Sequence, residues 1–88
     1  MAEVHITSAI AFVKPGSGSA IAEDIRRAGL AEVPRIDPRG RLVLLLERPS
    51  TAAILDSLDA VRALPGVLAV HLVYQHAEDA SALEQESP

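Results

Sequence analysis

With 88 residues, no cysteine, only Phe12 and Tyr74 as aromatics and a formal charge of −4, the chain leaves no room for disulfide scaffolds or thiolate metal sites. It also lacks the basic footprint that nucleic-acid binding demands. The length suits one domain, which at this size buries roughly 60–65% of its unfolded surface. Its core must come from Val, Leu, Ile and Ala. The longest apolar runs fall far short of the ~20 residues that span a membrane. Met1-Ala2-Glu3-Val4-His5 lacks the basic n-region of a secretory signal, so a cytoplasmic location is expected.

Val4 to Val13 reads as a first strand, because Ile6, Ile10 and Phe12 alternate with smaller or polar residues. Lys14-Pro15-Gly16-Ser17-Gly18 breaks it. Ser19 is then placed to cap a helix whose Ile21, Ile25 and Ala28 share one face, and Gly29 sits where a left-handed residue would end it. A second strand is expected from about Glu32 to Asp37, at a sheet edge because Pro34 cannot donate to a ladder. Strict alternation would put Arg35 on the same face as Val33, which a bulge at Pro34 would relieve.

Asp37-Pro38-Arg39-Gly40 is a turn signature leading into the strand Leu42-Val43-Leu44-Leu45-Leu46. Ser50 caps a second helix with Ile54, Leu58 and Val61 as its stripe, widened by Leu55, and Pro65-Gly66 stops it. A last strand follows from about Leu68 to Gln75. The order is βαββαβ. Gly29-Leu30-Ala31-Glu32-Val33 and Gly66-Val67-Leu68-Ala69-Val70 echo each other after the two helices. This predicts an α+β, ferredoxin-like two-layer sandwich with an antiparallel four-stranded sheet, order 4-1-3-2, and both helices on one face. The folded domain is expected over residues 1–76. The acidic segment 77–88, with Glu78, Asp79, Glu84 and Glu86 and no basic residue, is expected to be a disordered tail.

Two helices cover only one side of such a sheet, so its strands should alternate apolar and polar. The third strand does not: with Leu42, Leu44 and Leu46 facing the helices, Val43 and Leu45 point away. If the larger residues of the first strand also pack on the helices, the open face carries the small Thr7, Ala9 and Ala11, with Val43, Leu45, Ala69, His71 and Val73 beside them. Such a strip fits a bound peptide or protein, a homodimer interface, or an ordinary surface. Catalytic patterns do not emerge. Gly16-Ser17-Gly18 lacks the later Gly and Lys of a phosphate loop. His5 and His71 fall on strands expected to be adjacent, where they could meet, but two histidines without a matched carboxylate make a poor metal site. Arg26-Arg27 lies within a helix and reads as part of a solvated face.

The block Val61-Arg62-Ala63-Leu64-Pro65-Gly66-Val67-Leu68-Ala69-Val70-His71-Leu72-Val73-Tyr74-Gln75-His76 with an acidic segment after it resembles the C-terminal signature of the NapD family. Gly40-Arg41-Leu42-Val43-Leu44-Leu45-Leu46-Glu47 and Glu32-Val33 resemble that family in order and spacing. Lys14 to Gly18 and Pro34-Arg35 depart from its pattern. The resemblance implies a ferredoxin-like cytoplasmic chaperone, not an enzyme and without a cofactor. Its partner would be the twin-arginine signal peptide of the catalytic subunit of the periplasmic nitrate reductase. Binding would delay export through the Tat pathway until the reductase has its cofactors. On this reading the sheet residues Thr7, Ala9, Ala11, Val43, Leu45, His71 and Val73 hold the peptide. Carboxylates at the rim, Glu47 first and then Asp37 or Glu32, would pair with its arginines. An amino-acid-type sensor or dimerisation domain of the same fold is the alternative; an acylphosphatase-like enzyme would need an Asn, which the chain lacks.

Overall fold

The computed structural model describes residues 3–79. Six elements follow in order: β1 (Glu3–Val13), α1 (Gly18–Arg27), β2 (Glu32–Asp37), β3 (Arg41–Arg48), α2 (Thr51–Arg62) and β4 (Val67–Asp79). The strands form one antiparallel sheet in the order β2-β3-β1-β4, which is the expected 4-1-3-2 read from the other edge. β4 pairs with β1 as far as Asp79, past the expected boundary at residue 76. The rest of the acidic segment lies outside the described residues. None of the described helices is long and apolar enough to cross a membrane.

Local chemistry explains where the elements stop. α1 starts at Gly18 with Ser17, not Ser19, at the N-cap, and Ser17 makes no side-chain capping bond. At its other end Gly29 adopts φ +68°, and the amides of Gly29 and Leu30 reach back to the carbonyls of Arg26 and Ile25. That is a Schellman closure, available to glycine without the strain a Cβ would add. Ser50 caps α2 as expected, its extended backbone letting Oγ accept from the amide of Ala53 at 3.1 Å. The β2–β3 turn closes when the Gly40 amide donates to the Asp37 carbonyl, while Asp37 Oδ1 accepts from the Arg39 amide. Gly40 (φ +100°) donates no room to spare: a Cβ there would stand 2.5 Å from the Val13 carbonyl oxygen.

The core lies between the sheet and the helices. Ile21, Ala22 and Ile25 of α1 and Ile54, Leu58 and Val61 of α2 pack over Leu42, Leu44 and Leu46 of β3 and Val70 of β4. Leu55 does not join them; it is exposed. β1, the second central strand, turns its small residues Thr7, Ala9 and Ala11 to this side, along with Val13. Three leucines on one central strand fill the space under the helices, so the neighbouring strand must be small there for the layers to approach at native density. On β2, the register shifts between Glu32 and Arg35, so Val33 is buried while Arg35 pairs opposite Val43 on the other side. The bulge at Pro34 is thus present, at the sheet edge where a proline is tolerated.

Candidate functional site

Residues directly opposite one another in an antiparallel ladder share a face. The register therefore specifies the side of the sheet away from the helices, in four rows. Ile6 pairs with Glu47; Ser8 with Leu45 and Tyr74, and Leu45 in turn with Glu32; Ile10 with Val43 and His71, and Val43 with Arg35; Phe12 with Arg41 and Ala69, and Arg41 with Asp37. Ile6, Ile10, Phe12, Val43 and Leu45 are half-buried by their neighbours alone. Among the described residues no element covers them. They make a continuous apolar strip on the two central strands, with charged side chains along the β2 edge and His71 and Tyr74 along β4. Phe12 and His71 meet edge to face, ring centroids 5.2 Å apart.

The strip has a different composition on β1 from the one expected. Thr7, Ala9 and Ala11 are 0, 1 and 0% exposed; they pack beneath the helices and cannot touch anything laid on the open face. The larger Ile6, Ile10 and Phe12 take their place. The alternation of large and small residues along β1 is visible in the sequence, but its small members, not its large ones, face the helices. Val43, Leu45 and His71 do lie on the open face.

β4 is corrected in a second way. Its register shifts between Ser8 and Ala9 of β1, and again between Phe12 and Val13, which leaves Val73 and Leu68 as extra residues without a direct partner. Val73 is 62% exposed at its bulge, and the shift brings Tyr74, in place of Gln75, onto the same side as His71. Simple alternation cannot find such a residue. The bulges also undo the proposed meeting of histidines: His5 pairs opposite Ala77 and His71 opposite Ile10, on opposite faces of the sheet.

The three expected rim carboxylates are not equivalent. Asp37 is already engaged, accepting from the Arg39 amide (2.9 Å) and pairing with the guanidiniums of Arg39 (3.3 Å) and Arg41 (2.9 Å). The Arg39 amide, then the two arginine side chains, hold its carboxyl down to about 2. Glu32 and Glu47 are exposed and make no ion pair or side-chain hydrogen bond with the described residues. Both line an open groove of about 740 Å³ whose apolar wall is Leu45, Val33, Pro34 and Ala31. Arg26 and Arg48 also border it, but their guanidiniums are spent on backbone: Arg26 donates to the Val33 carbonyl, and Arg48 to those of Gly29, Leu30 and Glu47. The groove therefore offers two available acceptors beside an apolar wall.

Comparison with known proteins agrees with this architecture. The NapD protein family profile matches residues 4–79. Among solved structures, the chain is similar to the E. coli Tat proofreading chaperone protein NapD, with 28% sequence identity and a TM-score of 0.75, over 97% of this chain and 87% of that one. A comparison with curated proteins finds no match. The matched profile takes in all six elements and every residue of the open face, so the chain belongs to the NapD family.

Proposed function

We propose that this protein is a cytoplasmic chaperone, without catalytic activity, that binds the twin-arginine signal peptide of the periplasmic nitrate reductase's catalytic subunit. By holding that peptide it delays export until cofactor insertion and assembly are complete. The observation that carries the reading is the uncovered strip of Ile6, Ile10, Phe12, Val43 and Leu45 on an otherwise well-packed small domain. A signal peptide brings an apolar stretch that needs such a surface and a basic stretch that suits Glu32 and Glu47. The family and the description of its E. coli member as a Tat proofreading chaperone support it.

The sheet edges favour the face over strand addition. β2 is short and interrupted at Pro34, and β4 carries two bulges. Bulges and prolines are the devices that blunt an edge against pairing with another strand. A peptide that cannot extend the ladder gains most by coiling into a helix, satisfying its own backbone and laying one apolar side on the strip. Fully burying one large apolar side chain contributes about 1.5–3 kcal/mol, from which the ordering of the peptide must be subtracted.

Calorimetric titration of the signal peptide tests this. Binding to the intact peptide is expected, with loss on Arg→Lys replacement in the twin-arginine pair and on Ile10→Glu or Leu45→Glu in the protein. Full affinity in both protein variants would remove the open face from consideration.

A further inference from the structure

Charge on the open face is separated along the strand direction. Glu47, at the end of β3, and Glu32, at the start of β2, lie at one end of the sheet. The opposite end has Arg41 on the face, Arg39 in the adjoining turn and Lys14 directly after β1, with Arg35 partway along β2. Its one carboxylate, Asp37, is neutralised by Arg39 and Arg41. The cations near the acidic end, Arg26 and Arg48, are turned to backbone carbonyls. Between the two poles Ile10 of β1 and Val43 and Leu45 of β3 make the surface of the central strands mainly apolar.

We propose that this polarity sets the direction of the bound peptide: its basic N-terminal end lies at Glu32 and Glu47, and it runs in the same sense as β1 towards Arg41. The inference rests on the signal-peptide reading above and adds the orientation. Two independent terms agree on it. The peptide's arginines meet available carboxylates beside the apolar wall of Leu45 and Pro34, where partial desolvation strengthens a charge-assisted pair. A helical peptide also carries partial positive charge at its N-terminus and negative charge at its C-terminus, matching the acidic and basic poles. The reverse orientation would set arginines against Arg35 and Arg41. Arg41 to Glu47 spans about 20 Å of strand, enough to seat a helix of about 13 residues.

The test uses the full chain, isotope-labelled, and a synthetic signal peptide with a nitroxide at either end. With the label beside the arginine pair, selective broadening of the amides of Glu32, Leu45 and Glu47 is expected. With the label after the apolar stretch, broadening should move to Phe12, Arg41 and Ala69. Exchange of the two patterns would overturn the orientation and leave the peptide site intact. Broadening confined to residues outside the open face, or no binding of the unlabelled peptide, would overturn the site and the orientation with it. The double variant Glu32→Gln, Glu47→Gln should weaken binding roughly tenfold at low salt and less at high salt; unchanged affinity would also overturn the orientation.

Discussion

Phe12 of β1 and His71 of β4 are diagonal neighbours on the uncovered side of the sheet, with their rings inclined at 63°. Phe12 is half-buried and lies outside the core cluster under the helices. Its truncation removes apolar surface from the peptide strip while leaving the helix–sheet packing in place. Phe12→Ser is therefore expected to weaken peptide binding about tenfold, equivalent to ~1.4 kcal/mol, and to leave the native circular dichroism spectrum unchanged. Equal affinity in titrations of the variant and the native protein would show that the strip ends short of the β1–β4 seam.

Ala9 tests which side of β1 faces the peptide. Ala9 pairs with Leu44 and Leu72 and is buried beneath the helices. Ala9→Leu must force extra volume into a closed layer, which typically costs about 1–3 kcal/mol. A lower urea midpoint is expected, with no gain in peptide affinity. Were Ala9 on the open face, the same change would enlarge the apolar strip and leave stability nearly untouched.

The contrast between β1 and the rest of the chain explains how far the sequence could be read. Element order, the Ser50 cap, the Gly29 stop and the bulge at Pro34 follow from local chemistry: a hydroxyl before a helix, a glycine after one, a proline without a donor; strand order then follows from the right-handed crossovers of a βαββαβ chain. Which side of β1 meets the helices does not. Both of its sides are apolar enough to be buried, and the outcome depends on Leu42, Leu44 and Leu46 of the neighbouring strand already filling the space. The position of Tyr74 depends on a bulge opposite Ser8 and Ala9, which no composition signal marks. Of the expected site residues, Val43, Leu45, His71, Glu32 and Glu47 lie where a peptide could reach them. Asp37 is on the face but occupied by its own arginines.

Thr7 carries a polar atom in an apolar place. It is fully buried opposite Leu46 and Gln75, and its Oγ1 has no hydrogen-bond partner among the described residues. A buried hydroxyl without a partner forfeits its hydration, at a cost of about 1–3 kcal/mol, whereas a methyl of the same shape does not. Thr7→Val should raise the urea midpoint by an amount worth about 1 kcal/mol, with an unchanged denaturant slope and unchanged peptide affinity. A lower midpoint would show that the hydroxyl is satisfied in solution.

Asp37 gives the fold a defined acid sensitivity. Its carboxyl titrates at about 2 in the native turn against an ordinary value of 3.8, because the Arg39 amide and the Arg39 and Arg41 side chains favour the charged form. The unfolded chain thus takes up a proton at Asp37 before the folded chain does. The stabilisation is complete above the unfolded value and is lost as pH falls from about 4 through about 2. Asp37→Asn keeps an oxygen for the Arg39 amide but removes the charge. Compared by thermal denaturation, the native protein should lose stability over that interval more steeply than the variant, and the gap between their midpoints should narrow towards pH 2. Parallel curves would mean that the pairing with Arg39 and Arg41 contributes nothing to folding.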